Sequence, residues 1–245
     1  MPDKVPIQQI LFLDIETVPM TEKFDEMPGN FRKLWICKAN KLCGEEGESA
    51  EDKFERAGIY AEFGKVVCIS VGMFHQKEGK WHFRLKSFFG EDEKEVLKEF
   101  IALLNGMRDK NPYLCAHNGK EFDFPYLARR IIINRLKLPA LLEVAGKKPW
   151  EVPFLDTMEL WKFGDYKHYT SLELLSAVFD IPTSKDDIDG SQVAKVYYKE
   201  KDLKRIAVYC EKDVLTTARV YQRYLGLEPV SDEKVVSATD LQKKE

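Results

Sequence analysis

The sequence predicts an α/β fold with a mixed central β-sheet flanked by helices. Three observations carry this. Apolar runs bounded by Gly and Pro fill the first half, and segments of helical periodicity separate and follow them. The chain has 245 residues, 44% hydrophobic and 32% charged, enough for a full core in one large domain. One domain over 1–227 is expected, with 22–64 an insertion or lid within it and 228–245 a polar C-terminal tail.

The elements follow in order. Residues 7–16 read as a strand, and the nearly continuous apolar run 10–15 suggests one covered on both faces. Pro19 ends it soon after. The segment 21–64 is rich in charge and aromatics; it reads as a decorated loop with short helices or as a lid. Strands at 65–74 and 81–88 flank a turn containing Gly79. Residues 91–105 form a helix, with Val96, Leu97, Phe100, Ile101 and Leu104 on one face and acids in the first turn. A short strand at 113–116 leads to a helix at 124–136, with Pro125 in its first turn and Pro139 past its end. After the connector 145–153, helices are expected at 171–179, 191–198 and 203–225. The tail 228–245 should be frayed.

Composition excludes several classes. The apolar run around 131–133 is broken by charge far short of membrane-spanning length, so no transmembrane helix and no membrane partner are expected. The N-terminal MPDKVPIQQILFLDIE lacks a basic start and a cleavage site, so no signal peptide is expected. Five cysteines without a C-x-x-C pair favour a reducing, cytoplasmic setting. The histidines His75, His82, His117 and His168 have no zinc-finger spacing; His75 and His82 are expected to face each other across a surface hairpin rather than hold a metal. A net charge of −3 is not that of a protein that coats nucleic acid, so any such contact must be local.

Within FLDIETVP, Asp14 and Glu16 interrupt the apolar run and, two apart, point to one face. A pair of ionised carboxylates there costs several kcal/mol, of the order of ~3 or more, unless compensated. The pair reads either as a solvent-facing strand end or as a cation site. Two further acids lie where the fold can return them to that strand end. Asp123 follows the strand 113–116 and opens a helix, the kind of junction at which α/β sheets build sites, although a helix N-cap also explains it. Asp213 lies four residues after Tyr209, so the two share a helix face beside the stripe Leu203, Ile206, Cys210, Val214, Ala218 and Tyr221; a solvated helix edge explains them equally well.

Taken together, these segments resemble the DEDD superfamily of 3′–5′ exonucleases, and most closely the proofreading exonuclease domain of family-B DNA polymerases. FLDIET resembles its first motif, N-x-x-x-F-D-x-P-Y-L (Asn118, Phe122, Asp123, Pro125, Tyr126, Leu127) its second, and Y-C-x-K-D (Tyr209, Cys210, Lys212, Asp213) its third. LDTMELWKF and YTSLELLSAVFDIPTSKDDIDG resemble the intervening linker and helix. The likeness covers about 10–225, and tyrosine four before the last aspartate indicates the DEDDy subgroup. No residues remain for polymerase portions, so a stand-alone exonuclease is expected, and the insertion has no inherited role.

The resemblance implies a ribonuclease-H-like three-layer fold and a metal-dependent 3′–5′ exonuclease. It would release 5′-mononucleotides from single-stranded DNA or RNA 3′ ends, DNA being favoured. Two Mg²⁺ or Mn²⁺ ions fit a carboxylate set. By resemblance Asp14, Glu16 and Asp213 hold the ion that carries the attacking water, Asp14 bridges to a second ion, and Asp123 acts on that second ion partly through water. Tyr209 orients the water. Asn118 and Phe122 contact the terminal nucleotides, and the backbone and side chain around Ile15 and Thr17 touch the terminal sugar; core packing is the alternative for Phe122. Arg129, Arg130, Arg135 and Lys137 read as a basic or simply solvated face. The rival is a non-catalytic nucleic-acid-binding or scaffold protein that keeps the fold; four intact carboxylates and the tyrosine weigh against it.

Overall fold

Strand β1 (Ile10–Pro19) sorts its side chains by strict alternation. In the computed structural model, which describes residues 5–44, 47–165, 169–182 and 187–241, Leu11, Leu13 and Ile15 enter one core and Ile10 and Phe12 enter another. His168 lies outside the described residues. The first core is closed by α2 (Glu93–Gly106) and α3 (Asp123–Ile133), through Val96, Leu97, Phe100, Leu127 and Ile131. The second is closed by α7 (Leu203–Tyr224), through Val214, Ala218 and Tyr221. Phe12 stands edge-on to Phe74, Phe83 and Tyr221 at centroid distances of 5.9, 6.0 and 5.6 Å. Full burial of each such side chain contributes about 1.5–3 kcal/mol.

The sheet runs β5-β4-β1-β2-β3-β6. β1 is antiparallel to β2 (Gly64–Lys77), which forms a hairpin with β3 (Lys80–Phe89). Glu78 and Gly79 both have positive φ, 53° and 73°, as the twist-matched two-residue turn requires. His75 pairs with His82 across it, their rings 5.7 Å apart. On the other side β1 is parallel to β4 (Tyr113–Ala116), and β4 to the two-residue β5 (Leu155–Asp156). The β1–β2 register slips between Glu16 and Thr17, a bulge beside the two acids.

Several elements depart from expectation. β1 begins three residues later and runs to Pro19, because Ile7–Gln9 is a 3-10 turn. The insertion holds α1 (Gly29–Ala39) and a 3-10 helix (Phe54–Ile59) around its own core of Met27, Trp35, Phe54 and Phe63. Residues of the expected linker form α4 (Thr157–Lys162), while α5 (Leu172–Val178) is capped by Ser171 as its sequence suggests. The helix expected at 191–198 is only α6 (Val193–Lys195) followed by a π-helical turn, Val196–Glu200. There consecutive tyrosines hold the end of the β1–β2 pair: Lys65 at the start of β2 donates to the Tyr197 hydroxyl, and the Tyr198 hydroxyl donates to Pro19 O at the end of β1.

The tail is a further correction. Its described part is ordered rather than frayed: β6 (Val235–Ser237) pairs in parallel with β3, and Val230 is buried against α7. Thr239 accepts the Ser87 N–H. The β-branched pair Val235–Val236 covers a sheet edge, which the polar composition around it hid.

Arg130 is also corrected. It is not on a solvated face but is buried with Glu93 between α2 and α3. Its Nε and Nη2 donate to the two Glu93 oxygens at 2.8 and 2.5 Å, and its Nη1 donates to Ala61 O of the insertion at 2.8 Å. Glu93 also accepts the Val66 N–H and an Asn134 amide hydrogen. Arg129, Arg135 and Lys137 are exposed as expected. Removing one partner of such a pair strands the other, so Arg130→Ala should lower unfolding free energy in urea by about 3–5 kcal/mol. A loss below about 1 kcal/mol would show that the pair does not bind the insertion to the helical layer.

Candidate active site

The even positions that place Ile10 and Phe12 against α7 carry on to Asp14 and Glu16. These acids therefore face the helix that bears Tyr209, Cys210 and Asp213. The Cys210 thiol donates to Asp14 Oδ2 at 3.3 Å and to Asp14 O at 3.4 Å. Ligand-type atoms of Asp14, Glu16 and Cys210 all lie within 4.8 Å of one another. Asp123 arrives from the other side. β4 pairs only with the first three residues of β1, Ile10 to Phe12, and past its end the Asp123 carboxylate takes the Ile15 N–H. The site thus stands at the carboxyl ends of two adjacent parallel strands, where such sheets leave a crevice.

Electrostatics show that the four acids share one place. Burial raises the Asp14 carboxyl well above its ordinary range, and Asp213, Glu16 and Asp123 raise it further. Burial does the same to Glu16, with Asp213, Cys68 and Asp123 adding to it. Asp123 is pushed up to about 8, chiefly by desolvation. No lysine or arginine among the described residues acts on Asp14, Glu16 or Asp123 strongly enough to offset this. Asp123 Oδ1 and Asn118 Oδ1 are buried and have no hydrogen-bond partner. Clustered carboxylates with an orphaned buried oxygen fit a hard divalent cation, which prefers oxygen ligands.

Tyr209 is buried rather than at the border of the stripe, and its hydroxyl is hydrogen-bonded to Asp213. Desolvation, then Asp213, Glu16 and Asp14, drive its pKa far up, so the hydroxyl keeps its proton and acts as a donor. The Cys210 thiol is pushed up by burial first and by Cys68 next, so it too stays protonated. Asp123 is not a helix cap: α3 starts at Asp123 itself, and the position before it is Phe122.

The expected substrate contacts divide. Asn118 sits beside Asp123's loop in the left-handed region, φ 62°. Phe122 is half-buried and packs obliquely on Tyr126 at 5.4 Å, so part of it is core. Thr17 is half-buried with its hydroxyl bonded to Tyr126. The Ile15 side chain departs from expectation: it is in the core under α2 and α3, on the opposite face from Asp14, while its N–H is held by Asp123. The strand alternation that gathers Asp14 and Glu16 is what turns Ile15 away. Sequence reasoning missed Asp156, which is 3% exposed and accepts backbone N–H groups of the loop before Asp123. Its only signal was an acid ending a short apolar run in FLDT.

Comparison with known proteins bears on the family and the fold. Residues 59–241 match the family described as predicted 3′–5′ exonuclease related to the exonuclease domain of PolB. The chain is similar to DNA polymerase 1 of Pyrococcus abyssi, 24% identical over 187 residues, covering 68% of this chain and 23% of that protein. It is similar to the DNA polymerase of Thermococcus aggregans, 22% identical over 189 residues, covering 68% of this chain and 10% of that one. A solved family B DNA polymerase from the hyperthermophilic archaeon Pyrobaculum calidifontis matches 88% of this chain with a TM-score of 0.51 and 14% identity, over 24% of its own length. That likeness shows the fold, which is ribonuclease-H-like. The chain spans less than a quarter of the length of these relatives.

Raised carboxyl pKa values have a signed consequence. A carboxyl near 8 in the fold and near 4 unfolded holds its proton only when folded between those values, so its contribution makes the cation-free protein less stable as pH rises from about 4 to about 8. Asp123→Asn removes that contribution. In chelator, its melting temperature should exceed that of the wild type by an amount that grows between pH 5 and pH 8, reaching at least about 2 °C, the equivalent of roughly 1 kcal/mol. A difference that is flat with pH, or of opposite sign, would contradict the burial of these charges together.

Proposed function

The chain belongs to the family of predicted 3′–5′ exonucleases related to the exonuclease domain of PolB, and on that premise we propose that it hydrolyses phosphodiester bonds at single-stranded DNA 3′ ends. The products are 5′-mononucleotides, and the subgroup is DEDDy. One observation carries the reading: three separated segments, on β1, α3 and α7, deliver their acids to one buried spot. The similar proteins are DNA polymerases, which favours DNA over RNA.

Asp14, Glu16, Asp123 and Asp213 hold the cations, Mg²⁺ or Mn²⁺, in a two-ion arrangement. Bound there, such ions neutralise charge on the scissile phosphate and ease deprotonation of the attacking water. By the family resemblance Asp14 is the bridging ligand, and Asp213, Glu16 and Asp123 all raise its carboxyl. The Cys210 thiol fixes the Asp14 carboxylate from behind. Tyr209 orients the attacking water through its retained proton, a donor role that its raised pKa supports. Asn118, in the turn that leads into α3, contacts the terminal nucleotide by resemblance. The half-exposed ring of Phe122 offers a stacking surface, an interaction worth about 1–3 kcal/mol per base and tolerant of sequence.

End-labelled DNA and RNA oligonucleotides incubated with Mn²⁺ or Mg²⁺ test this. The wild type should shorten DNA from its 3′ end and Asp14→Ala should not; absence of cation-dependent shortening of either polymer would sink the enzyme reading. Tyr209→Phe should keep Mn²⁺ binding yet turn over about 100-fold more slowly, the scale of loss from a misplaced reactant. Asp14→Asn should be at least as damaging as Glu16→Gln, and the reverse order would remove Asp14 from the centre of the site.

A further inference from the structure

We propose that Asp156, which lies outside the carboxylate set, is a positioning residue: it clamps the β4–α3 loop so that Asn118 and Asp123 are set for cation binding. This rests on the reading of the cluster as a cation site. Asp156 ends β5 and pairs with Ala116, the last residue of β4, so it stands where the loop begins. Its Oδ1 accepts the N–H of Asn118 at 3.0 Å, of Met158 at 2.9 Å and of Glu159 at 3.3 Å. Its Oδ2 accepts the Lys120 N–H at 3.0 Å.

Capping α4 accounts for only two of these four bonds. The others come from a segment nearly forty residues earlier and hold both ends of a constrained turn. Asn118 is left-handed, and a Cβ on Gly119 would lie 2.4 Å from that of Ala116. The turn leads directly into α3: Asn118 O accepts the Phe122 N–H and Gly119 O accepts the Phe124 N–H, on either side of Asp123. Fixing 118 and 120 therefore fixes the first turn of the helix that carries Asp123. A second tie acts beside it, since His117 Nδ1 is 2.9 Å from Thr157 Oγ1 and His117 Nε2 is 2.9 Å from Thr170 O.

The choice of an acid argues against simple capping. Asp156 adds its negative charge near Asp123, raising that carboxyl further, a penalty that a neutral Ser or Thr cap avoids. A side chain with two acceptor oxygens takes all four N–H groups, Oδ1 those of Asn118, Met158 and Glu159 and Oδ2 that of Lys120. With both oxygens so engaged, Asp156 holds the loop rather than a cation.

Mn²⁺ titration of the full chain, read by the electron paramagnetic resonance of free Mn²⁺ and paired with circular dichroism, tests the assignment without measuring turnover. Asp156→Ser keeps a cap for α4 but is too short to reach the loop. It should stay folded and bind Mn²⁺ about 10-fold or more weakly, the usual scale for losing a group that orients a ligand. Asp156→Asn, the milder change, should lie between Ser and wild type. A folded Ser variant with wild-type affinity would overturn the proposal; if Ser fails to fold, an Asn variant with wild-type affinity would do so. Failure of the wild type itself to bind Mn²⁺ would instead overturn the cation site.

Discussion

Mutual repulsion among buried carboxylates is the constraint to which the rest of the chain is fitted. Asp14, Glu16 and Asp123 are taken out of water beside one another and beside Asp213, with burial the largest cause of their raised pKa values. Left alone, such a cluster works against folding. It persists because each acid is fixed by an element that earns its stability elsewhere: β1 from two hydrophobic cores, α7 from Phe12, Tyr221 and their neighbours, and α3 from Leu127, Ile131 and the Arg130–Glu93 pair.

The sheet supplies the geometry. Alternation along β1 sends Leu11, Leu13 and Ile15 toward α2 and α3 and leaves Asp14 and Glu16 toward α7. Because β4 stops short, β1 has a backbone N–H to offer, and Asp123 takes it. The insertion is joined to this framework rather than draped over it. Tyr126 donates to Gly58 O at 2.8 Å, and Arg130 donates to Ala61 O. α3 thus serves the site at its first turn and the insertion along its length.

Much of this was legible in the sequence. β4 was read at its observed bounds, and the hairpin, α2, α3 and α7 to within a few residues, because each carries strong periodicity and its own turn or cap. Alternation alone paired Asp14 with Glu16 on one face, whereas Asp123 joined them in the sequence reading through the family resemblance, a helix cap being the plainer reading of that residue by itself. What was not legible depends on partners distant in sequence. Arg130 looked like one more surface cation until Glu93 met it, 37 residues away. β6 is three residues that pair with β3 only once the sheet exists. Asp156 shows its four bonds only in the folded chain, and the Ile15 side chain is turned into the core by the same alternation that defined its neighbours.

The most direct measurement is anomalous diffraction from crystals soaked in Mn²⁺ and a short single-stranded oligonucleotide. The account predicts two Mn²⁺ peaks about 3.5–4 Å apart among Asp14, Glu16, Asp123 and Asp213, with the 3′-terminal phosphodiester beside them. No anomalous density among these four acids at saturating Mn²⁺, or a strand end seated elsewhere, would contradict it.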